Sequence, residues 1–250
     1  MEDGRQLEKR FIELAERSFA RGCYEETEFL SLSEQNTLLC IKHGLLPAPF
    51  ELCGGYEGAE RKLAVFGSAD ICGYEAVPLI SFVEIRPVSE RFAEELGHRD
   101  FLGALMSLGI KRGLLGDIIV AERSACVICL SSIVEFIAEQ VEKVKNTPVR
   151  CAALSELPAV TGTAPEAREI NVASPRADAL ISAVYKLSRG DSDELFTSGR
   201  VFLDGALCKK SGEDVREGTI VSVRGVGRFR YDGILHETKK GRLRVSVSVF

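Results

Sequence analysis

The residues best placed to do chemistry in this 250-residue chain are basic and clustered. From Ser222 onward, Arg224, Arg228, Arg230, Lys239, Lys240, Arg242 and Arg244 stand against only Asp232 and Glu237. Just upstream, Lys209 and Lys210 close the stretch TSGRVFLDGALCKKSG (197–212), in which Asp204-Gly205 separates two short apolar runs. That pattern predicts a tight hairpin, because Asp-Gly supplies the positive φ angles of a two-residue turn. A hairpin holds its flanking cations in fixed places, and fixed cations recognise an anion by charge. The formal charge of -5 hides this end of the chain: residues 1–171 carry 18 Lys/Arg against 27 Asp/Glu, whereas 172–250 carry 14 against 10. Such asymmetry points to an anionic partner.

Other chemistries have less support. Of eight cysteines only Cys126 and Cys129 form a C-x-x-C, inside the apolar run ACVICLSSI, and a zinc ribbon needs a second pair. His43, His98 and His236 sit at no ligand spacing from a cysteine. The expectation is buried, reduced thiols in a reducing compartment, with no metal and no cofactor. Asp178, two residues after Arg176, is expected to orient that arginine or favour a helix N-terminus rather than act as a catalytic acid. The Gly225-x-Gly227 pair joins strands instead of opening a helix, so it is a tight turn and not a dinucleotide loop. The opening MEDGRQLEKR lacks the apolar run of a secretory signal, and nothing approaches the ~20 apolar residues of a membrane span. The chain is therefore expected to be cytoplasmic, without membrane contact, and monomeric.

The elements that must position the basic residues follow from periodicity. GRQLEKRFIELAERSFARG predicts a helix with Leu7, Phe11, Leu14, Ala15 and Phe19 inward, and Ser33 is expected to cap a second helix that stops at Gly44. FELCGGY and RKLAVFG predict paired strands. From residue 76 the order is strand, helix, strand, strand, helix, strand: PLISFVEIRPV, a helix ending at Gly109, the hairpin DIIVAE/ACVICL, a helix over IVEFIAEQVEKVK with Ile133, Phe136, Ile137, Val141 and Val144 inward, and PVRCAAL. That order is ferredoxin-like or RRM-like, although the strand CVICL lacks the aromatics on which an RRM sheet stacks bases. Residues 155–171 lack periodicity and are expected to be a linker. Beyond it, Ser174-Pro175 should start a helix running to Leu187, and Ser188 with Asp191 should form a capping box for a second helix closed by Gly199. The fold class is α+β: an N-terminal α/β unit (1–75), a central RRM-like sandwich (76–154), a linker (155–171) and a C-terminal module (172–250) of two helices plus a small β-sheet.

The C-terminal motifs carry a resemblance. S-x-R-x-D (Ser174, Arg176, Asp178), S-R (Ser188, Arg189), G-R-V-x-L-D-G (199–205), K-x-S (Lys209, Ser211) and V-R-G-x-G-R (223–228) together resemble the RNA-binding module named after ribosomal small-subunit protein four, here the S-four domain. The resemblance implies a basic RNA-binding surface built from the two helices and the hairpin. It places Arg176, Asp178, Lys186, Ser188, Arg189, Arg200, Lys209, Lys210, Ser211, Arg224 and Arg228 in or beside that surface. Two positions depart from the pattern: Ala177 stands where leucine is common, and Gly190 where a polar or basic residue is common. Upstream, R-D-F-L-G-A-L-M-x-L-G-I-K-R (99–112) followed by G-D-I (116–118) is similar to the central domain of the YlmH family, which adds Arg99, Lys111 and Arg112 as expected RNA contacts. Lys111 and Arg112 could equally serve the preceding helix C-terminus.

The YlmH resemblance covers essentially the whole chain. It implies a non-enzymatic factor that binds large ribosomal subunits still carrying peptidyl-tRNA after a stalled ribosome splits. It also implies support for tailing of the stalled nascent chain. The expected partners are then large-subunit rRNA, peptidyl-tRNA and a nascent-chain tailing factor on the same subunit. The alternatives are an enzyme that modifies rRNA or tRNA and a ribosome-assembly factor, each with an appended S-four domain. The first alternative lacks a glycine-rich cofactor loop or metal constellation upstream.

Overall fold

The computed structural model describes residues 2–41, 46–89, 91, 93–157, 166–238 and 241–250. The chain divides into two compact units, residues 1–162 and 163–250.

The first unit begins with helix α1 (Glu2–Arg21), strand β1 (Glu25–Glu26), α2 (Leu32–Leu39), β2 (Phe50–Cys53), β3 (Leu63–Phe66) and the single turn α3 (Ala69–Cys72). Its sheet has the order β1-β3-β2, with Phe50 opposite Phe66 as the paired-strand pattern predicts. Phe11, Leu14 and Ala15 of α1 are buried, but Phe19 is exposed and Ser18 lies inside in its place. The Ser18 hydroxyl offsets its burial by donating to the Phe66 carbonyl at 2.9 Å. The second helix is capped by Ser31 rather than Ser33, because only Ser31 has an acid at the third helical position, and Glu34 reaches back to the Ser31 amide at 2.7 Å. The expected stop at Gly44, together with His43, lies outside the described residues.

There follow β4 (Ile80–Pro87), α4 (His98–Ser107), β5 (Leu115–Val120), β6 (Ala125–Leu130), α5 (Val134–Gln140), β7 (Lys143–Val144) and β8 (Thr147–Leu154). The sheet order β5-β6-β4-β8-β7, antiparallel throughout, is the ferredoxin-like arrangement with one short strand added at the edge. One face packs Val83, Ile85, Val127 and Cys129 on Phe101 and Leu105 of α4 and Ile137 of α5. Helix α5 is shorter than the periodicity predicts. Val141 and Val144 are buried, but from extended chain, since Lys145 turns the backbone at φ 52° into β8. Phe136, expected inside, is 43% exposed.

The other face of this sheet is covered as well. Ile80, Phe82, Ile119, Ile128 and Leu130 pack against Phe29, Leu63 and Val65 from the N-terminal segment. Strand β6 is thus buried on both faces, which is why ACVICL is a continuous apolar run rather than an alternating one. Segments 1–75 and 76–154 accordingly share a core inside the first unit.

The second unit comprises β9 (Glu166–Val172), α6 (Ala177–Tyr185), α7 (Arg189–Thr197), β10 (Val201–Leu203), β11 (Ala206–Leu207), β12 (Ile220–Val223), β13 (Gly227–Glu237) and β14 (Leu243–Val249). They build a six-stranded antiparallel sheet, β11-β10-β12-β13-β14-β9, larger than the small sheet expected. Part of the expected linker, residues 166–171, is instead most of β9. It shows no period because it is an edge strand whose first four residues are exposed, and only Ile170 and Val172 reach the core. Residues 158–165 of the expected linker lie outside the described residues. Leu180, Ile181, Val184, Leu195 and Phe196 of the helices bury one sheet face through Val221, Phe229, Tyr231, Val245 and Val247.

The cysteines partly depart from expectation. Cys126, Cys129 and Cys208 are buried, but Cys40 is exposed and the other four are half-buried. Cys126 and Cys129 are three apart on a strand and so point to opposite faces, which prevents them from sharing a metal. Among the described residues no group of His, Cys, Asp or Glu could hold a metal ion. Burial pushes the Cys126 thiol up to about 11 and Cys129 to about 12. Alkylation of the native protein near pH 8 is therefore expected to label Cys40 and to spare Cys126 and Cys129, as peptide mass spectrometry would show. Because both folded values lie above the ordinary thiol value, the unfolded chain loses these protons first. The stabilising contribution is complete below about pH 9 and is expected to fall as pH rises through 11. Denaturation midpoints at pH 8 and pH 10.5 would read the decline.

Candidate nucleic-acid interface

The C-terminal motifs interlock through the backbone. Helix α6 begins at Ala177, not at Ser174-Pro175, because residues 211–215 come back across its start: the Ser211 and Glu213 carbonyls accept from the Asp178 and Ala177 amides, and the Val215 amide donates to the Pro175 carbonyl. These contacts satisfy first-turn donors that a hydroxyl would otherwise serve. They also bring the Arg176-x-Asp178 and Lys209-x-Ser211 stretches together in space. Asp178 takes the Arg176 guanidinium in a two-point fork, from Nε at 3.1 Å and Nη2 at 2.8 Å, so this arginine is held in one orientation as expected for an orienting acid. Gly212 leaves room for the fork, since a Cβ there would stand 3.3 Å from Arg176 Nη2.

Lys186 ends α6 in the left-handed conformation, φ 54°, with its side chain exposed. Ser188 caps α7 and Asp191 completes the capping box, as the spacing predicts. Ser188→Ala is expected to cost about 1 kcal/mol of stability in a urea titration of the second unit. Gly190 follows in the first turn of α7, where an added Cβ meets nothing nearer than the Ser188 hydroxyl at 3.8 Å. Gly190→Ala is expected to stabilise by about 0.5–1 kcal/mol, readable in the same titration. Arg189 is exposed at the first helical position, with no ion-pair partner among the described residues.

Arg176 and Arg189 line a common cleft of about 530 Å³, together with Asp178, Ser192, Asp193 and Arg242. Ser192 is 1% exposed, and its buried hydroxyl has no hydrogen-bond partner among the described residues. A buried hydroxyl without a partner is costly unless something that enters the cleft satisfies it. Sequence reasoning missed Ser192 and Arg242 as site residues. Arg242 reaches the cleft only because β14 pairs with β9, a contact between positions about 70 apart that no local pattern signals.

The hairpin is as the Asp-Gly pair predicts. Asp204 and Gly205 have φ of 45° and 77°, and the Asp204 carboxylate ties the turn to the Ile220 amide at 2.8 Å. Lys209 and Lys210 are exposed after β11. Arg200, expected on the binding surface, is spent locally: its Nε donates to the Arg224 carbonyl at 2.8 Å and its Nη2 to the same oxygen, which steadies the 224–227 turn. Arg224 and Arg228 do not join the helical face. They lie on the opposite, outer face of the sheet, over the rings of Phe202 and Phe250. Lys239 and Lys240 lie outside the described residues.

In the first unit, Arg99 and Lys111 are exposed, whereas Arg112 is a correction to the sequence reading. Its Nη1 donates to the Leu115 and Gly116 carbonyls at 2.8 and 3.0 Å. Burial, with the neighbouring Arg61 guanidinium, lowers it to about 10. Arg61 in turn donates to the Leu115, Phe29 and Arg112 carbonyls, and Asp117 accepts from Tyr56 Oη and from the Glu60 and Arg61 amides at 2.7–3.1 Å. Arg112 therefore belongs to the network that fastens the N-terminal segment to β5. Asp100 pairs with Lys145 at 2.9 Å rather than with Arg99. The sheet face on which an RRM stacks bases is covered over β5, β6 and the start of β4 by the N-terminal segment. What remains open includes Arg86 and Arg150, directly opposite each other across β4 and β8.

Residues 79–156 match a family model described as "Putative RNA-binding domain in YlmH", a stretch that spans β4 to β8. The chain is 31% identical over 227 residues to "Ribosome-associated protein quality control protein P2" of Bacillus subtilis, covering 88% of this chain and 85% of that protein. The chain belongs to the YlmH family. A solved structure named "Cell division protein ylmH from Streptococcus pneumoniae" superposes with a TM-score of 0.49 at 18% identity, over 61% of this chain and 91% of that one. The YlmH relationship extends well beyond the central domain, since the Bacillus subtilis match takes in most of both chains. Among the described residues of this YlmH-family chain, no helix is long and apolar enough to cross a membrane.

Proposed function

We propose that this chain is a non-enzymatic RNA-binding factor acting in ribosome-associated quality control. The observation that carries the reading is the cleft between α6 and α7, where an arginine fixed by its own carboxylate, a second exposed arginine and an unspent buried hydroxyl converge. Such a site suits a phosphate of structured RNA: charge supplies affinity, the fixed fork supplies geometry, and neither reads sequence. Lys186, Ser188, Lys209, Lys210 and Ser211 are proposed as further contacts made by the same unit, and Arg242, which lines the cleft, joins Arg176 and Arg189. Arg99 and Lys111 are proposed as further contacts from the central domain, made from its surface rather than from the covered sheet face. The name of the Bacillus subtilis relative supports the quality-control setting. In finer detail, the RNA is proposed to be large-subunit rRNA together with peptidyl-tRNA. The chain would hold that peptidyl-tRNA in place while a tailing factor extends the nascent chain.

Purifying the tagged chain from cells at moderate salt and sequencing the RNA that accompanies it tests the reading. Large-subunit rRNA with tRNA, lost when Arg176, Arg189 and Arg242 are replaced by alanine in a protein that still folds, is the expected result. Recovery of rRNA precursors alone would overturn it in favour of an assembly role. A modification missing from rRNA or tRNA of cells lacking the gene, seen by mass spectrometry, would overturn the non-enzymatic part.

A further inference from the structure

We infer that the outer face of the C-terminal sheet is a second RNA surface, one that stacks unpaired nucleotides. This inference rests on the RNA-binding reading above and extends it to the side of the unit away from α6 and α7. Strand alternation sends Val201, Val221, Val223, Phe229 and Val247 into the core, so Phe202, Ser222, Arg228, Arg230 and Phe250 face outward. The register sets Phe202, Ser222 and Arg228 side by side across β10, β12 and β13, and the Phe250 amide donates to the Arg228 carbonyl, which adds Phe250 to the same row. At strand spacing the row spans roughly 14 Å.

Two planar cations are pinned onto that row. Arg224 lies 4.4 Å from the centroid of the Phe202 ring, and Arg228 lies 4.5 Å from that of Phe250. An arginine held over a ring at this distance has already lost much of its side-chain freedom, and its guanidinium is a plane on which a base can stack. The turn that carries Arg224 is packed tightly against Arg200 and so holds its arginine in place. Gly225 and Gly227 have φ of 77° and 156°, and a Cβ on Gly225 would meet Arg200 Nη2 at 2.7 Å. Arg224, Arg228 and Arg230 stand on this part of the face against Asp232, whose carboxylate accepts from Arg230 and from the Ser248 hydroxyl, both at 2.6 Å. Alternating rings and cations on an open sheet is the chemistry of single-strand binding, where stacking tolerates any base and charge tracks the phosphates. An acidic peptide could use the cations but would gain nothing from the stacked planes.

The test uses the full chain and two probes, a single-stranded RNA oligonucleotide containing 2-aminopurine and a blunt RNA hairpin. The expected result is that the oligonucleotide binds with quenched fluorescence and that a saturating excess of hairpin does not displace it. Phe202→Leu with Phe250→Leu, and separately Arg224→Gln with Arg228→Gln, should each weaken the oligonucleotide about tenfold or more and leave the hairpin within about twofold. Arg176→Ala with Arg189→Ala should do the reverse. Displacement by the hairpin, or oligonucleotide affinity unchanged in both outer-face variants, would overturn the second surface while the helical face stands. Hairpin affinity unchanged in the Arg176/Arg189 variant would overturn the helical-face reading instead. Thermal unfolding of each variant checks that the sheet is intact.

Discussion

Replacing Arg176 and Arg189 together by alanine is expected to weaken binding of structured RNA by at least about tenfold and to lower the slope of log affinity against log salt by about 1–2. The two replacements are not equivalent. Arg189 is an exposed cation, and its loss removes one phosphate contact. Arg176 is forked onto Asp178, so its loss also leaves a carboxylate facing the incoming anion. Arg176→Ala alone should therefore cost more than Arg189→Ala alone, and removing Asp178 as well should restore part of the difference. Filter binding from 50 to 300 mM salt would read both affinity and slope. A slope unchanged in the double variant would mean that this cleft does not contact phosphate.

Asp117→Ala is expected to destabilise the first unit by about 3 kcal/mol. The wild-type carboxylate accepts from one phenol and two backbone amides in a half-buried junction, and each orphaned donor costs roughly 1–3 kcal/mol. Asp117→Asn keeps an acceptor oxygen but sets an amide group against the remaining donors, so it should recover only part of the loss. Urea unfolding followed by the tyrosine signal would measure it. A loss below about 1 kcal/mol in the alanine variant would show that β5 and the N-terminal segment are held by their apolar contact alone.

What was legible in the sequence was local. The Asp204-Gly205 turn, the Ser188/Asp191 capping box and the helix stop at Gly199 (φ 66°) depend on neighbouring residues, and each formed where its pattern lies. The βαββαβ order was legible too, because periodicity changes at each element boundary. What could not be read depends on strands distant in sequence. Residues 166–172 become a strand only because β14 offers an open edge, and that pairing enlarges the sheet and carries Arg242 to the cleft. In sequence Arg112 reads as an RNA contact or as a cation serving the preceding helix end, and only the fold shows it donating to the Leu115 and Gly116 carbonyls instead. Arg224 and Arg228 belong to the same S-four resemblance as Arg176 and Arg189, yet strand alternation sends them to the other face of the sheet. The departure at Ala177 also has a spatial meaning, since that side chain is wholly buried beneath the segment that caps α6.

The proposed role has the α6/α7 cleft holding RNA on a large ribosomal subunit that still carries peptidyl-tRNA. It is tested most directly by sedimenting the purified chain with such subunits, with the same subunits after the peptidyl-tRNA has been released, and with an Arg176→Ala/Arg189→Ala variant in parallel. The wild-type chain is expected to pellet with the loaded subunits in preference to the emptied ones, and the variant to stay in the supernatant. Equal pelleting with both kinds of subunit, or a variant that pellets as well as the wild type, would contradict it.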